Sequence, residues 1–441
     1  MKFKSLSLNP KLQKGIDVCG YTDMTPVQEQ AISLVRKGRD LSVNAQTGTG
    51  KTAAFALPIL QRMLDKPKDN ASKHPRTLIL TPTRELAEQL AATIGGYAQF
   101  LDFNITAVYG GVKTSGQAHK LQAGVDILIG TPGRLLEHVN LGHVSLAEVE
   151  FLVLDESDRM LDMGFLEDVS KLILQTNEKR QTLLFSATMT PALNELSHQV
   201  LRNHKEIRVS KVNTTAETVE HVIYAVEEER KISLFMDLLH EYNWFQVLVF
   251  TSTKRQADEL LDNLKQKKIK AAVCHADRSQ GSRRRALADF KSAKLQVLIA
   301  TEVAARGLDI VGLDYVVNYN LPFLAEDYVH RIGRTGRAGH SGHAISFVSR
   351  EEEQAVDRIQ RLIGSKIKRI RKKGFEVSDR EALINTIAQG MKTRRSNKPT
   401  ETTIGKNRKV SKPTPSRSKK TKTSTHKSKK KPARSKRKNK R

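Results

Sequence analysis

Two successive series of short apolar runs constrain the fold of this chain more than any other feature. The first series, between Leu41 and Thr188, consists of LSVNA, TLILTPT, ITAVYGG, DILIGTP, FLVLDE and TLLFSAT. The second consists of QVLVFTST, AAVCHA, QVLIATE, DYVVNYNLP and HAISFVSR. Such runs, separated by polar loops and helix-like stretches, are typical of strands buried in a parallel sheet. The pattern therefore predicts an α/β protein with two parallel-sheet units in tandem.

Length and charge divide the chain further. Its 441 residues can bury at least two sizeable cores. The segment VSKVNTTAETVE, between the two series, lacks apolar periodicity and predicts a linker, and the helical pattern VDRIQRLIGSKIKRI closes the second unit. The last 51 residues hold 22 lysines and arginines against one acid, Glu401, and so carry +21 of the net charge of +28. With almost no apolar side chains, they predict a disordered basic tail.

Cysteine usage and the N-terminus bear on the compartment. Cys19 and Cys274 are far apart and too few for a disulfide framework. The N-terminal MKFKSLSLNPKLQK lacks the continuous apolar core of a signal peptide, and no apolar run approaches the roughly 20 residues that span a bilayer. We therefore expect a cytoplasmic protein without membrane contact.

The segment LSVNAQTGTGKT has the order of a phosphate-binding loop, with a strand before it and the helix-forming AAFALPIL after it. In such a loop the glycines let backbone N–H groups curl around phosphates, the lysine neutralises the β and γ oxygens, and the hydroxyl ligates magnesium. The alternative is an ordinary glycine-rich turn. The candidate nucleotide-binding residues are Ala45, Gln46, Thr47, Gly48, Thr49, Gly50, Lys51 and Thr52.

The acidic cluster in FLVLDESD supplies the other groups that nucleotide hydrolysis requires. Asp155 follows four apolar residues, so it should emerge at the carboxyl edge of the sheet and hold Mg²⁺ together with Thr52, the aspartate through a water molecule. Glu156 is the candidate for orienting the attacking water. An acidic cluster alone is more often a solvated loop, but the phosphate-binding loop upstream favours the catalytic interpretation.

The order of short motifs identifies a family. They are Phe3 with GYTDMTPVQ, AQTGTGKT, PTREL, Gly110 with Gly111, TPGR, DESD, SAT, VFTST, ARGLD and HRIGRTGR. Over roughly residues 3 to 350 the sequence resembles the DEAD-box RNA helicases. The segments HVIYAVEEERK and NYNLPFLAEDYVHRIGRTGRAG are most similar to the RhlE-like bacterial branch.

The resemblance implies a fold and its boundaries. The fold is two tandem RecA-like domains of the P-loop NTPase type. It divides the chain into a Q-motif region (1–30), an ATP-binding domain (31–207), a linker (208–217), a C-terminal helicase domain (218–378) and the disordered basic tail (379–441). The implied cofactors are ATP and Mg²⁺.

The resemblance also implies roles for individual residues. Phe3 would stack on adenine, Gln28 would read the adenine edge beside Thr25, and Gly307 and Asp309 would contact the nucleotide from the second domain. Arg334 and Arg337 would act as arginine fingers, catalytic together with Lys51, Asp155 and Glu156. The residues coupling hydrolysis to unwinding would be Asp158, Ser186, Thr188 and His330, with Ser186 and Thr188 hydrogen-bonded to Asp158.

The RNA-binding face implied by the family spans both domains. Glycines allow close backbone approach, hydroxyls and helix N-termini donate to phosphates, and arginines add charge, so contacts of these types should read the backbone with weak sequence preference. The residues are Pro82, Thr83, Arg84, Gly110, Gly111, Thr131, Pro132, Gly133, Arg134, Thr251, Gln280, Arg283 and Thr301. Each motif taken singly could also be a structural turn.

Three positions depart from the family pattern. Ser157 stands where the family has the alanine of its name, Glu302 replaces an aspartate, and Met24 replaces a proline. Serine is small enough to leave the neighbouring acids in place, so ATPase activity should survive while the efficiency of unwinding is open. Glu302 could shift a contact at the RNA or at the domain interface, whereas Met24 should be harmless.

The leading hypothesis is an RNA-dependent ATPase that locally separates RNA duplexes and remodels RNA–protein complexes as a monomer. The alternatives are an ATP-gated RNA clamp or assembly factor with incidental unwinding, and a DNA translocase. Ribosomal or RNA-decay complexes are candidate partners. The basic tail predicts a salt-dependent tether to RNA, with a solubilising segment or a nuclear address as alternatives.

Overall fold

The structure is a computed structural model that describes residues 1–45, 48–67, 72–209, 219–305, 310, 312–336 and 342–376. The predicted basic tail and most of the predicted linker lie outside these residues.

Strands and helices alternate in the first half of the chain. A 3₁₀ turn over Phe3–Leu6 comes first. The elements that follow are α1 (Pro10–Val18), α2 (Pro26–Arg36), β1 (Leu41–Asn44), α3 (Lys51–Asp65), β2 (Thr77–Leu80), α4 (Arg84–Tyr97), β3 (Ile105–Val108), α5 (Thr114–Ala123), β4 (Ile127–Gly130), α6 (Pro132–Asn140), β5 (Phe151–Leu154), α7 (Ser157–Asp162), α8 (Leu166–Leu174), β6 (Gln181–Ser186), α9 (Pro191–Val200) and β7 (Lys205–Arg208).

The second half repeats the alternation, with short 3₁₀ turns over Glu228–Arg230 and Arg350–Glu352. Its elements are β8 (Val219–Ala225), α10 (Lys231–Glu241), β9 (Val247–Thr251), α11 (Lys254–Gln266), β10 (Ala271–Cys274), α12 (Gln280–Lys291), β11 (Val297–Thr301), α13 (Glu302–Ala305), β12 (Tyr315–Asn318), α14 (Ala325–Ile332), β13 (Gly342–Val348), α15 (Glu353–Ile363) and β14 (Lys368–Ile370).

The strands form two seven-stranded parallel sheets with the same topology. The first has the order β3-β4-β2-β5-β6-β1-β7 and the second β10-β11-β9-β12-β13-β8-β14. Each strand of the second sheet therefore occupies the position of the strand seven earlier in the chain. The predicted α/β class with two tandem parallel-sheet domains is confirmed.

Helices cover both faces of each sheet and bury separate apolar clusters. On one face of the first sheet, Phe55 from α3 packs against Phe185 from β6 with ring centroids 5.2 Å apart. The opposite face buries a second cluster that includes Leu128, Leu152 and Leu184. Because the two faces alternate along each strand and both are covered, most inner strands are largely apolar.

Two details of the sequence interpretation differ from the structure. The helix predicted through Ile370 is wrong at its end, because α15 stops at Ile363, where Gly364 adopts φ +71°, and the last three residues form β14. Strands β7, β8 and β14 were not in the predicted series. In β7 and β14 most side chains are exposed, as expected at sheet edges, so no apolar run marks them.

Within the part of the chain that is described, no helix is long and apolar enough to cross a membrane.

Candidate ATP site and nucleic-acid groove

The sheet order separates two groups of motifs at the carboxyl ends of the first sheet. Strands β5, β6 and β1 are adjacent, so DESD, SAT and the phosphate-binding loop meet there. Strands β3, β4 and β2 form the other half of the sheet and lead into the Gly110 turn, TPGR and PTREL. Because all strands are parallel, every one of these motifs emerges at the same edge.

The phosphate-binding loop connects β1 to α3. Gly48 and Gly50 have φ of +85° and +87°, which other residues rarely adopt. A Cβ on Gly50 would also lie 2.3 Å from Nε2 of Gln28. The Lys51 ammonium is buried and has no hydrogen-bond partner among the described residues. A buried cation at a helix N-terminus fits a phosphate group.

The rest of the predicted loop is only partly described. Ala45 ends β1 and is buried, and Thr52 is half-buried in the first turn of α3. Gln46 and Thr47 lie outside the described residues.

Asp155 and Glu156 follow β5 and are both buried. Burial raises the pKa of each carboxyl group, and the nearby Lys51 ammonium opposes this shift in the pKa of both. Glu156 has φ +52°, and the backbone N–H of Glu156 donates to Oδ1 of Asp155 over 3.1 Å. The strained turn holds two carboxylates beside one ammonium, as the sequence predicted for a nucleotide site.

The second domain contributes a positive charge to this cluster. The Arg334 guanidinium, just beyond α14, is close enough to lower the pKa of Glu156, although burial has the larger, opposite effect. The predicted partners Arg337, Gly307 and Asp309 lie outside the described residues. Glu156 is therefore approached by Lys51 from its own domain and by Arg334 from the other.

The residues predicted to hold adenine contact the phosphate-binding loop. Oε1 of Gln28 accepts from the backbone N–H of Thr25 over 2.8 Å, and Nε2 of Gln28 donates to the Gly50 carbonyl over 3.1 Å. The Thr25 hydroxyl donates to the Thr49 carbonyl over 2.7 Å. Phe3 is fully buried, edge-on to Tyr21 at 5.7 Å. Gln28 and Thr25 therefore brace the loop, and the adenine roles of Phe3 and Gln28 remain predictions.

Asp158 joins DESD to the SAT segment. Its Oδ2 accepts from the backbone N–H of Ala187 over 3.2 Å and from the N–H and hydroxyl of Thr188, each over 2.9 Å. The predicted hydrogen bond from Ser186 to Asp158 is absent from the described contacts, because the Ser186 hydroxyl donates instead to the Thr188 carbonyl over 2.5 Å. The turn folds Ser186 back on its own main chain.

Ser157 makes contacts that alanine could not. Its buried hydroxyl faces the Leu154 carbonyl at 3.1 Å and the Phe185 carbonyl at 2.9 Å, and it shares one proton between them. It therefore bridges the ends of β5 and β6 and does not contact the neighbouring carboxylates through this bond.

Ion pairs between α14 and distant segments were missed by the sequence interpretation. Arg159 of α7 contacts Asp327 of α14, which joins the two domains. Arg331 of α14 donates to Glu302 over 2.5 Å, so the longer acid at position 302 reaches into the second domain's own core. Nδ1 of His330, a predicted coupling residue, lies 3.8 Å from Oδ1 of Asp327. Pairs between distant segments leave no local pattern that could have revealed them.

An open groove of about 280 Å³ runs along the other half of the sheet edge. Eight of the predicted RNA-binding residues line it: Pro82, Thr83, Arg84, Gly110, Thr131, Gly133, Arg134 and Arg283. The sequence interpretation missed the apolar contributors Met163, Phe165 and Val303. Pro132 opens α6 next to Thr131, and Thr251 and Thr301 pair with each other at the ends of β9 and β11.

Three guanidinium groups converge in this groove. Burial, followed by the charges of Arg283 and Arg134, lowers the pKa of Arg84. Gly111 has φ +78°, and a Cβ there would lie 1.8 Å from Nη1 of Arg84, so only glycine leaves room for this guanidinium. One acid, Glu85, also lines the groove against these three guanidinium groups, so the net charge is positive and the concave surface suits anions such as phosphodiesters.

Gln280 and Arg283 also join the two domains. Nε2 of Gln280 donates to Oε1 of Glu85 over 3.1 Å, and Arg283 pairs with the same oxygen at 2.9 Å. Both side chains are buried against α4. Their RNA contacts remain a prediction, because the contacts described are made with the first domain.

Comparison with known proteins identifies the family. A model of DEAD/DEAH box helicases matches residues 25–196, and one of the helicase conserved C-terminal domain matches residues 230–339. The DEAD-box ATP-dependent RNA helicase CshA of Streptococcus pneumoniae is 40% identical over 378 residues, which cover 86% of this chain and 71% of that protein. The ATP-dependent RNA helicase RhlB of Pseudomonas aeruginosa is 41% identical over 371 residues, 83% and 94% of the two chains.

A solved structure agrees with these matches. S. cerevisiae Dbp5 bound to RNA and ADP BeF3 superimposes with a TM-score of 0.75 at 28% identity, covering 88% of this chain and 99% of that one. With its two matching sheets, its phosphate-binding loop and its curated relatives, this chain belongs to the DEAD-box family of ATP-dependent RNA helicases.

Proposed function

We propose that this protein is an RNA-stimulated ATPase that uses ATP to separate short RNA duplexes and remodel RNA–protein complexes. The observation that carries the proposal is that the charges of Lys51 in the first domain and Arg334 in the second both lower the pKa of buried Glu156, against the larger effect of burial. A hydrolytic centre with cations from both domains is complete only when the domains are closed. Hydrolysis is thereby gated by closure.

ATP would bind with its phosphates at the phosphate-binding loop. The buried Lys51 ammonium, which has no hydrogen-bond partner among the described residues, fits the β and γ oxygens. The Thr52 hydroxyl and the Asp155 carboxylate are the hard oxygen donors that Mg²⁺ prefers, so the residues present fit this ion. Magnesium would neutralise charge on the phosphates. The family roles of Phe3, Thr25 and Gln28 at adenine are part of this proposal.

Glu156 would accept a hydrogen bond from the attacking water and align it with the γ-phosphate. Arg334, with Arg337 beside it in the sequence, would stabilise the charge that develops on the transferred phosphoryl group. The Arg159–Asp327 pair and the contacts of Gln280 and Arg283 with Glu85 support a closed state in which these groups act together.

RNA would lie along the groove lined by Arg84, Arg134 and Arg283. These cations, the glycine turn and the N-termini of α4 and α6 suit phosphate oxygens rather than base edges. Recognition would then depend on the backbone, with weak sequence preference. The apolar groove residues Met163, Phe165 and Val303 would contact sugars and displaced bases.

Hydrolysis would be coupled to RNA through Asp158 and the SAT turn. Asp158 holds the main chain of Ala187 and Thr188, while the neighbouring Glu156 serves hydrolysis. A movement of DESD on phosphate release would therefore reach the end of β6, and His330, beside Asp327, would relay it to the second domain.

The finer assignments complete the proposal. The chain would belong to the RhlE-like branch and have the domain boundaries given above. It would act in the cytoplasm as a monomer, in ribosomal or RNA-decay complexes. The segment 379–441 would tether it to RNA through counterion release.

Removing this tail should weaken RNA binding and flatten its salt dependence while saturated ATP turnover stays nearly unchanged. An unaltered salt slope would contradict the tether.

The second candidate is an ATP-gated RNA clamp, favoured by the number of interdomain contacts. It predicts slow turnover with long-lived RNA binding. A DNA translocase would have the same two-domain ATPase, and this alternative predicts that DNA stimulates ATP hydrolysis as strongly as RNA does.

The experiment that tests the catalytic assignment is Glu156→Gln, which keeps the shape of the side chain but removes its charge. We expect RNA-stimulated turnover to be lost while ATP-dependent RNA binding persists, because Lys51 and the arginines remain. Glu195→Gln, an exposed acid on α9, is the matched control and should behave as wild type. Retained turnover in the Glu156 variant would overturn the assignment.

A further inference from the structure

Tyr109, which follows β3 and precedes the glycine turn, makes contacts in two directions. Its hydroxyl accepts a hydrogen bond of 2.6 Å from Arg284, which belongs to α12 of the second domain. Its carbonyl accepts one of 3.0 Å from Arg134 and one of 3.1 Å from Gln117, both in the first domain. The side chain thus faces the other domain while the main chain faces the RNA groove.

The partner of the hydroxyl is fixed by an ion pair. Arg284 donates through Nε to Oε2 of Glu88 over 2.8 Å, and its Nη2, which also donates to Tyr109, contacts Oε1 of Glu88. Glu88 lies on α4 of the first domain and also interacts with the Tyr109 hydroxyl, so docking of α12 adds the Arg284 contact to one that the first domain supplies by itself. Burial, then Glu88, raises the pKa of Tyr109 to about 12, so the phenol stays protonated at neutral pH.

The partner of the carbonyl is fixed as well. Arg134 also donates to the Val112 carbonyl over 3.0 Å and to Oε1 of Gln117 over 3.1 Å. The segment from Tyr109 to Val112 therefore supplies two of the four described acceptors of the Arg134 guanidinium, and Gln117 of α5 and Glu137 of α6 supply the others. The same segment contains Gly111, on which the Arg84 guanidinium packs. Restraining Tyr109 therefore helps to restrain Arg84 and Arg134, two of the three arginines of the groove.

We infer that Tyr109 is the positioning residue through which domain closure raises the affinity of the groove for RNA. Docking of Arg284 fixes the tyrosine, and its main chain then holds Arg134 and the glycine turn in the phosphate-binding arrangement. By linkage, RNA that selects this arrangement favours closure to the same extent. This inference rests on the proposed function, because it assumes that the groove binds RNA and that the nucleotide closes the domains.

The test is Tyr109→Phe, which keeps the ring and deletes the hydroxyl. Affinity for a fluorescent single-stranded RNA is measured without nucleotide and with ADP and beryllium fluoride. We expect the affinity with nucleotide to fall about fivefold, the effect of one hydrogen bond, and the affinity without nucleotide to be unchanged. Tyr97→Phe is the matched control, because that buried hydroxyl contacts Tyr21 within the first domain.

A double-mutant cycle separates this role from general support of the groove. In an Arg284→Ala background, the nucleotide-dependent loss caused by Tyr109→Phe should disappear. Equal losses with and without nucleotide, no loss in either state, or additive losses in the double variant would each overturn the inference. Thermal unfolding of each variant verifies that it is folded. If the RNA affinity of the wild-type protein does not respond to the nucleotide, that result would instead overturn the gating of hydrolysis by closure in the proposed function.

Discussion

The ion pair between Arg159 and Asp327 makes a quantitative prediction about closure. The exposed fractions of the two side chains are 6% and 7%, so the contact is largely removed from solvent in the closed arrangement. Burial lowers the pKa of Arg159, but the facing Asp327 and nearby Asp158 raise it more, and the net shift is upward. Asp327→Asn keeps the shape of the side chain and removes the charge that balances the arginine.

The size of the effect follows from the surroundings of Arg159. Breaking a buried ion pair by removing one partner costs about 3–5 kcal/mol. Arg159 keeps a second carboxylate, Asp162 at 3.2 Å, which is one-third exposed, so we expect the lower end, about 3 kcal/mol. Because the pair joins the two domains, this cost acts on closure and not on the folding of either domain. It corresponds to roughly a hundredfold smaller closed population.

The assay is RNA-stimulated ATP turnover, with thermal unfolding measured in parallel. We expect turnover of Asp327→Asn to fall by between about tenfold and about a hundredfold, with little change in unfolding temperature. Asp237→Asn, at an exposed position of α10, is the matched control. The double variant Arg159→Met with Asp327→Leu should recover part of the loss, because well-packed apolar residues can replace a buried pair. Turnover within about twofold of wild type in folded Asp327→Asn would refute the reasoning.

Three further predictions concern single residues. Ser157→Ala removes the bridge between β5 and β6, so it should lower the free energy of unfolding by about 1 kcal/mol and raise the amount of ATP consumed per duplex separated. An unchanged ratio of ATP consumed to duplexes separated would limit Ser157 to a structural role. Gly111→Ala should displace the Arg84 guanidinium that packs on this glycine and so weaken RNA binding. Gly116→Ala, which has open space around it, should leave the measured RNA affinity unchanged. Burial, then nearby charges, lowers the pKa of His138, so the stability that this residue contributes above about pH 6.5 should be lost as the pH falls. In thermal unfolding, His138→Gln should reduce this loss of stability in acid, whereas His240→Gln, at an exposed position, should not.

Most strands could be predicted from the sequence because burial on both faces makes them largely apolar. The edge strands β7 and β14 could not, since most of their side chains are exposed and charged, and the inner strand β8 (VEHVIYA) was missed because polar residues interrupt its apolar run. The segment KIKRI continues the helical pattern, because isoleucines three positions apart lie on the same face of a helix. Gly364 nevertheless ends the helix before them in a left-handed conformation, and the sequence signal for this end is the glycine itself.

In the site, too, some features could be predicted from the sequence and others could not. The phosphate-binding loop and DESD could be recognised in the sequence because each consists of contiguous residues in a fixed order, and their roles stay predictions. The contact of Arg159 with Asp327 joins positions 168 residues apart, and no local pattern records it. Ser186 was expected to bond to Asp158, but its hydroxyl has a nearer acceptor in its own turn. Such choices depend on a fraction of an ångström of backbone geometry.

The central claim is that this protein hydrolyses ATP in response to RNA and uses the energy to open RNA duplexes. The most direct measurement is the ATP hydrolysis rate of the purified chain without nucleic acid, with RNA and with DNA of the same sequence, while duplex separation is followed in the same reaction. We predict strong stimulation by RNA, little by DNA, and separation of the RNA duplex only while ATP is present. Equal stimulation by DNA, or RNA-stimulated hydrolysis without any separation, would contradict this account.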